Sequence, residues 1–266
     1  MSRPIYAIGD IHGQLAELGR VLDLIQRDGG ANAEIVFLGD YTDRGMQSRQ
    51  VIDVLMEGQA AGLPWTFIKG NHDRMFARFL RSGQIDDPAI KSGKSWLHHR
   101  LGGPTTLASY FDLEALLDVP DWTVEMDDFG KNPAKDARLA EVLDAARTHI
   151  SEAHLSFLEM CPLTHQIGDL LFVHAGIRPE IALKDQVEDD LIWIRDGWLE
   201  FTGALPWTVV HGHTALEAAQ HHGNRINLDS GAGYGRPLTA AVFEDGKVWT
   251  LGDKGRTALR ADLATR

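Results

Sequence analysis

Residues 65–76 read WTFIKGNHDRMF: an apolar run breaks at Gly70 into an amide, an imidazole and a carboxylate, Asn71-His72-Asp73, before apolar residues resume at helical spacing with Met75, Phe76, Phe79 and Leu80. Two earlier stretches have the same form. Ile5-Tyr6-Ala7-Ile8 ends in GDIHG at 9–13 and leads to Leu15, Leu18, Leu22 and Ile25. Ile35-Val36-Phe37-Leu38 runs into GDYTDRG at 39–45, after which Ser48 opens a helix carrying Val51, Val54 and Leu55. Short apolar runs without polar alternation suit strands buried on both faces, and the period that follows each one is that of an amphipathic helix. Three such strand-loop-helix units predict parallel strands joined by crossover helices, an α/β fold.

The pattern changes after Arg81. Residues from about 82 to 162 carry helical runs, Ala137 to Ala146 and His154 to Met160, and few strand candidates, which predicts a helical insertion or cap on a single domain spanning 1–266. Strands return with Leu170-Leu171-Phe172-Val173 before HAG, Thr208-Val209-Val210 before HGHT, Arg225 to Leu228, Leu238 to Phe243 and Lys247 to Leu251. The Asp-Gly in EDGK between the last two predicts an antiparallel hairpin.

Five of the apolar runs end in residues that bind metals or move protons: Asp10 and His12; Asp40 and Asp43; Asn71, His72 and Asp73; His174; His211 and His213. Sites in open α/β sheets form beyond the carboxyl ends of the strands. A convergent set of carboxylate, imidazole and amide groups suits divalent metals, and the donors outnumber what one six-coordinate ion can use. A carboxylate shared by two ions with a water between them makes a two-metal hydrolase. Singly these pieces are ambiguous. Asp10 taken alone also reads as a helix cap, and the glycines of GDIHG as a tight turn. The Gly-rich GAGYG at 231–235 follows a strand with no helical pattern after it, so it reads as a turn at the mouth of a site and not as a phosphate cradle. Cys161 reads as a small buried hydrophobe. His98, His99, His221 and His222 read as solvated polar residues, the last two on a surface helix or loop, and His149, His154 and His165 receive no role.

Composition narrows the class. The 266 residues are 44% hydrophobic and carry a formal net charge of −12, which argues against a nucleic-acid binder that relies on arrays of Lys and Arg. The single cysteine leaves no intrachain disulfide and suits a reducing compartment. No apolar run at the N-terminus has the length of a signal peptide and none approaches the ~20 residues of a membrane span, so the expectation is a cytoplasmic protein without a membrane partner.

Taken in order, D-x-H, G-D-x-x-D-R-G, G-N-H-D, V-H-A-G and H-G-H-T resemble the calcineurin-like metallophosphoesterase superfamily, and within it the bacterial and phage form of the serine/threonine protein phosphatase (PPP) family. The resemblance covers nearly the whole chain, leaving the helical segment unmatched. It implies two mixed β-sheets in a sandwich flanked by helices, and two divalent metal ions, Mn2+ first, with Fe or Zn as alternatives. It implies that Asp10 and His12 hold the first metal, that Asp40 bridges, and that Asn71, His174 and His213 complete the second site, with His211 outside the ligand set. Arg44 and Arg195 resemble the arginines that clamp phosphoryl oxygens. His72 matches a general acid, and Asp43 matches the carboxylate that orients it.

The expected activity is phosphomonoester hydrolysis on phosphoserine or phosphothreonine, with phosphotyrosine as a further substrate, by direct attack of a metal-bridging water. The alternative is hydrolysis of symmetrical dinucleoside polyphosphates, because Asp73 stands after GNH as it does in such hydrolases, whereas GDYTDRG follows the protein-phosphatase form. A non-catalytic scaffold would need broken motifs, and none is broken.

Overall fold

The three predicted units are present in a computed structural model that describes residues 3–119, 121–131 and 135–261. They are β1 (Ile5–Ile8) with α1 (Leu15–Gly29), β2 (Glu34–Phe37) with α2 (Ser48–Ala60), and β3 (Trp65–Phe67) with α3 (Asn71–Ser82). The strands pair in parallel in that order. β1 matches its predicted run, whereas β2 and β3 stop one residue short, and Leu38 and Ile68, though fully buried, already belong to the loops that carry the polar residues.

Among the described residues five α-helices follow: α4 (Gly103–Ala108), α5 (Leu113–Leu117), α6 (Trp122–Glu125), α7 (Asp136–His149) and α8 (Glu152–Met160). Among the described residues the stretch from 83 to 162 has no strand, and its residues 120 and 132–134 lie outside the description. The stretch is tied to α3 through Trp96, which stacks on Phe76 and tilts against Phe79 with ring centroids 5.7 and 5.0 Å apart.

The remainder contributes β4 (Thr164–Ile167), β5 (Leu170–Val173), α9 (Glu188–Trp193), β6 (Thr208–His211), β7 (Gln220–His221), β8 (Arg225–Asn227), β9 (Ala240–Glu244), β10 (Lys247–Gly252) and β11 (Gly255–Ala258). Two mixed sheets result, one ordered β11-β10-β9-β1-β2-β3 and the other β4-β5-β6-β8-β7. The EDGK hairpin forms as predicted, with Glu244 opposite Lys247 and both turn residues, Asp245 and Gly246, at positive φ. The expectation of a helix or loop around His221 fails: Gln220 and His221 pair antiparallel with Asn227 and Ile226 as a two-residue edge strand.

Alternation along each strand builds a sandwich. Ala7, Val36, Ala241 and Phe243 of the first sheet meet Phe172, Val210 and Ile226 of the second in one apolar layer. Tyr6, Ile8, Ile35 and Phe37 point the other way, into the core shared with the helices. Leu171, Val173 and Val209 line a third layer with Trp198 and residues of α9. Because the parallel strands of both sheets are buried on two faces, their polar chemistry can appear only where they end.

Phe172 sits in the inter-sheet layer with its ring edge-on to Phe243 at 6.0 Å. Phe172→Ala is expected to cost about 3–5 kcal/mol by opening a cavity that neither sheet can close. In urea unfolding this reads as a lower midpoint at unchanged slope. A loss under about 1 kcal/mol would contradict a close-packed interface between the sheets.

Candidate active site

The ten predicted site residues gather at the carboxyl ends of β1, β2, β3, β5 and β6 and in the loop after α9. Their loops are tightly bent. Of the seven non-glycine residues with positive φ among the described residues, five belong here: His12 (48°), Asp40 (53°), Asp43 (73°), Arg44 (66°) and His213 (66°). Such conformations each cost on the order of 1–3 kcal/mol and persist only where surrounding contacts fix them. Two glycines permit the closeness: a Cβ on Gly70 would lie 2.2 Å from Asp40 Oδ1, and one on Gly212 would lie 1.9 Å from Asp10 Oδ1.

Asp40 is the common member of two donor sets. The ligand-capable atoms of His12, Asp40 and His72 lie within 4.8 Å of one another, and so do those of Asp40, His174 and His213. Second hydrogen bonds set the tautomers. His12 Nδ1 is 2.8 Å from the carbonyl of Thr42, and His174 Nδ1 is 2.7 Å from that of Leu38. With those Nδ1–H groups donating, each ring turns Nε2 inward, the arrangement of a metal-ligating imidazole. His12 Nε2 then faces Asp40 Oδ2 at 3.6 Å, and His174 Nε2 faces the same oxygen at 3.5 Å. Asn71 Oδ1 lies 2.9 Å from His174 Nε2 and 2.8 Å from His213 Nδ1.

Asp10 accepts from the backbone N–H of His213 at 3.0 Å. Burial, then the carboxylates of Asp229 and Asp40, push its carboxyl well above the usual range. Burial first, and then neighbouring cationic groups, lower the pKa of His12 and His213, leaving neutral rings able to ligate. Converging acceptor lone pairs and crowded buried carboxylates are what divalent cations compensate, so the donor set fits two such ions. His211 stays outside: its ring packs on Trp198 at 5.7 Å, and burial lowers its pKa to about 3.

The run Asn71-His72-Asp73 forms the first turn of α3, so reading it as chemistry alone needs correction. Asp73 caps the helix, accepting from the N–H of Gly70 at 3.0 Å. It also accepts from the amides of Asp40 at 2.8 Å and Tyr41 at 2.9 Å, and it is fully buried, so it cannot select substrate by contact. Burial and the Asp40 carboxylate push its pKa up to about 8, while the Gly70 and Tyr41 amides hold it down. In return, the His72 amide donates to Asp40 Oδ1 at 2.9 Å, at the positive end of α3.

His72 Nδ1 lies 2.6 Å from Asp43 Oδ2. Two residues of the helical segment complete the support of that carboxylate, Trp96 Nε1 donating to Oδ2 at 2.7 Å and Thr106 Oγ1 to Oδ1 at 2.7 Å. Sequence reasoning missed both, since they lie 53 and 63 residues from Asp43 and belong to no motif. Burial pushes Asp43 up to about 7 and His72 down to about 3.

Arg44 leans over the cluster, Nη1 donating to His12 Nε2 at 2.6 Å and Nη2 to His72 Nε2 at 3.2 Å. The exposed ring of Tyr234, in the short turn predicted for GAGYG, covers its guanidinium at 4.7 Å. Arg195 donates to the His213 carbonyl at 3.3 Å. Both arginines line a cavity of about 550 Å³ with Asp40, Asn71, His72 and His213 at its floor. Elsewhere His98 departs from expectation: it is buried, contacting Lys94 and lying 3.5 Å from Asp127. His154 is buried too, its ring joining Tyr110 Oη at 2.8 Å to Asp53 at 3.0 Å.

The family model described as calcineurin-like phosphoesterase matches residues 3–242. The chain is similar to the bis(5'-nucleosyl)-tetraphosphatase PrpE [asymmetrical] of Bacillus thuringiensis (strain Al Hakam), at 25% identity over 262 residues that cover 90% of this chain and 89% of that one. It is 26% identical to the protein of the same name from Oceanobacillus iheyensis over 263 residues, covering 90% and 88%. A solved chain provisionally named a diadenosine tetraphosphatase shares the fold with a TM-score of 0.61 at 22% identity over 96% of each chain. The cold-active protein-tyrosine phosphatase of a Shewanella species shares it at 0.55 and 17%, over 98% of this chain and 81% of that one. Among the described residues no helix is long and apolar enough to cross a membrane.

Asp73→Asn turns an amide N–H₂ toward backbone donors that now meet a carboxylate. The expected result is a loss of about 1–3 kcal/mol in denaturant unfolding, with weaker retention of metal on dialysis. Unchanged stability would mean that the three amides find other acceptors.

Proposed function

The chain belongs to the calcineurin-like phosphoesterase family, and on that premise we propose that it is a two-metal hydrolase that cuts the phosphate chain of dinucleoside polyphosphates. The observation that carries the hydrolase reading is a single carboxylate, Asp40, common to two sets of ligand atoms beneath two arginines. The substrate class is supported by end-to-end similarity to proteins named bis(5'-nucleosyl)-tetraphosphatases. Similarity to the tyrosine phosphatase concerns the fold alone, so phosphoserine and phosphothreonine hydrolysis, the first expectation from GDYTDRG, has less support.

Asp10 and His12 would hold one ion, Asn71, His174 and His213 the other, and Asp40 both. When bound, such ions supply Lewis-acid charge and a water of lowered pKa. Mn2+ leads among the candidates, with Fe and Zn equally compatible with an N/O donor set. Arg44 and Arg195 would grip phosphoryl oxygens, each planar fork donating two hydrogen bonds to a tetrahedral anion. An arriving phosphoryl group competes for Arg44, drawing it from His72 Nε2, and its negative charge raises the proton affinity of a ring that burial keeps neutral. His72 Nε2 can then protonate the departing oxygen, while Nδ1–H stays on Asp43. General acids of this kind contribute about 10²–10⁴-fold.

A panel on the metal-loaded protein tests the substrate reading: diadenosine tetraphosphate, an aryl phosphate and a phosphoserine peptide. The highest kcat/KM is expected on the dinucleotide. Chromatography of its products gives AMP and ATP if the cut follows the name of the relatives, or two ADP if it is symmetrical. A phosphopeptide turned over faster than the dinucleotide would overturn the substrate class and leave the hydrolase standing. His72→Asn is expected to keep both metals by elemental analysis and to slow alkyl phosphates by about 10²-fold or more. Aryl phosphates, whose phenolate departs without a proton, should suffer much less, and equal losses on the two would remove His72 from the acid role.

A further inference from the structure

We infer that Arg100, with Lys91 on the lining of the same cavity, forms a second phosphate subsite at the rim of the active-site cavity, holding phosphates of a polyphosphate chain beyond the one under attack. The inference rests on the polyphosphate reading above. The cavity continues past the donor cluster between two walls, one from the loop joining α3 to α4 and one from residues 189–196. Its cations differ in how they are engaged. Arg178 is paired with Asp190 at 2.7 Å, and Lys91 is paired with Asp196 across the cavity. Arg100 is exposed and has no carboxylate within 4.0 Å among the described residues. On a chain of net charge −12, an uncompensated guanidinium at the rim of a cavity already lined by Arg44 and Arg195 is a fixed attraction for a second anion.

The mounting of Arg100 favours a defined spacing from the reaction centre. Its backbone N–H donates to His98 Nδ1 at 3.1 Å, and the next two amides turn back onto the His98 carbonyl at 2.8 and 3.2 Å. Gly102 closes this turn directly on Arg44: its carbonyl accepts the Arg44 amide at 3.4 Å, and a Cβ there would lie 2.2 Å from that nitrogen. One turn therefore positions both the arginine of the rim and the backbone of the arginine of the floor. Lys91 and Asp196 are 78% and 82% exposed, and an ion pair so open to water is worth little. A phosphate entering between the walls can take Lys91 from Asp196 at small cost.

The test uses the metal-loaded protein turning over an aryl phosphate, with divalent metal in excess and with inorganic tripolyphosphate and orthophosphate as competing inhibitors. Arg100→Ala is expected to raise the inhibition constant of tripolyphosphate about tenfold more than that of orthophosphate, and adding Lys91→Ala to widen the gap. Arg100→Lys, which keeps the charge without the fork, should recover part of the discrimination. Equal shifts for the two inhibitors, or none, overturn the subsite. On diadenosine tetraphosphate, Arg100→Ala should lower kcat/KM relative to the aryl phosphate by a similar factor. If the unaltered protein ignores the dinucleotide yet tripolyphosphate discrimination follows Arg100, the subsite stands and the substrate reading falls. If the dinucleotide is cut and Arg100→Ala leaves the ratio unmoved, the reverse holds.

Discussion

The site depends on a reciprocal clamp between the loop after β2 and the start of α3. Asp73 accepts the amides of Asp40, Tyr41 and Gly70, and the His72 amide returns a hydrogen bond to the Asp40 carboxylate. Neither partner is stable alone: Asp40 is held at positive φ, and a buried carboxylate without donors is costly. Together they place Oδ2 of Asp40 between the His12 and His174 rings and put the His72 ring on Asp43. The glycine at 70 is part of the same device, since any side chain there would enter the space of Asp40.

Electrostatics follows from this packing. Three carboxylates, Asp10, Asp40 and Asp229, are buried within one cluster, and Asp10 is held above its ordinary range by burial and the other two. The counter-charge from the protein is two arginines that also face the cavity. A surplus of buried carboxylates beside imidazoles is suited to divalent cations, and such cations, when bound, would offset the charge of a phosphate that an acidic chain would otherwise repel.

Much of this was legible in the sequence, for a physical reason. Strands buried on both faces are written as apolar runs, and donors at their ends sit in short motifs whose spacing the loop geometry fixes, so Asp10, His12, Asp40 and His174 could be read locally. What could not be read is carried by distant or weakly patterned residues. The support of Asp43 by Trp96 and Thr106 spans 53 and 63 residues and leaves no periodic trace. The edge strands β7 and β11 are short and mostly polar, so neither alternation nor an apolar run announces them. The capping role of Asp73 was hidden because a capping carboxylate looks like any other in a row of three polar residues.

The indole and hydroxyl that hold Asp43 lie in the helical segment from 83 to 162, and so does the turn that seats Arg44. The part of the chain that walls the cavity thus also holds the Asp43 carboxylate on which the His72 ring rests. Exchanging this segment between relatives to alter what enters the cavity would carry the orientation of His72 along with it. Trp96, Thr106 and Gly102 are the positions such a graft has to retain.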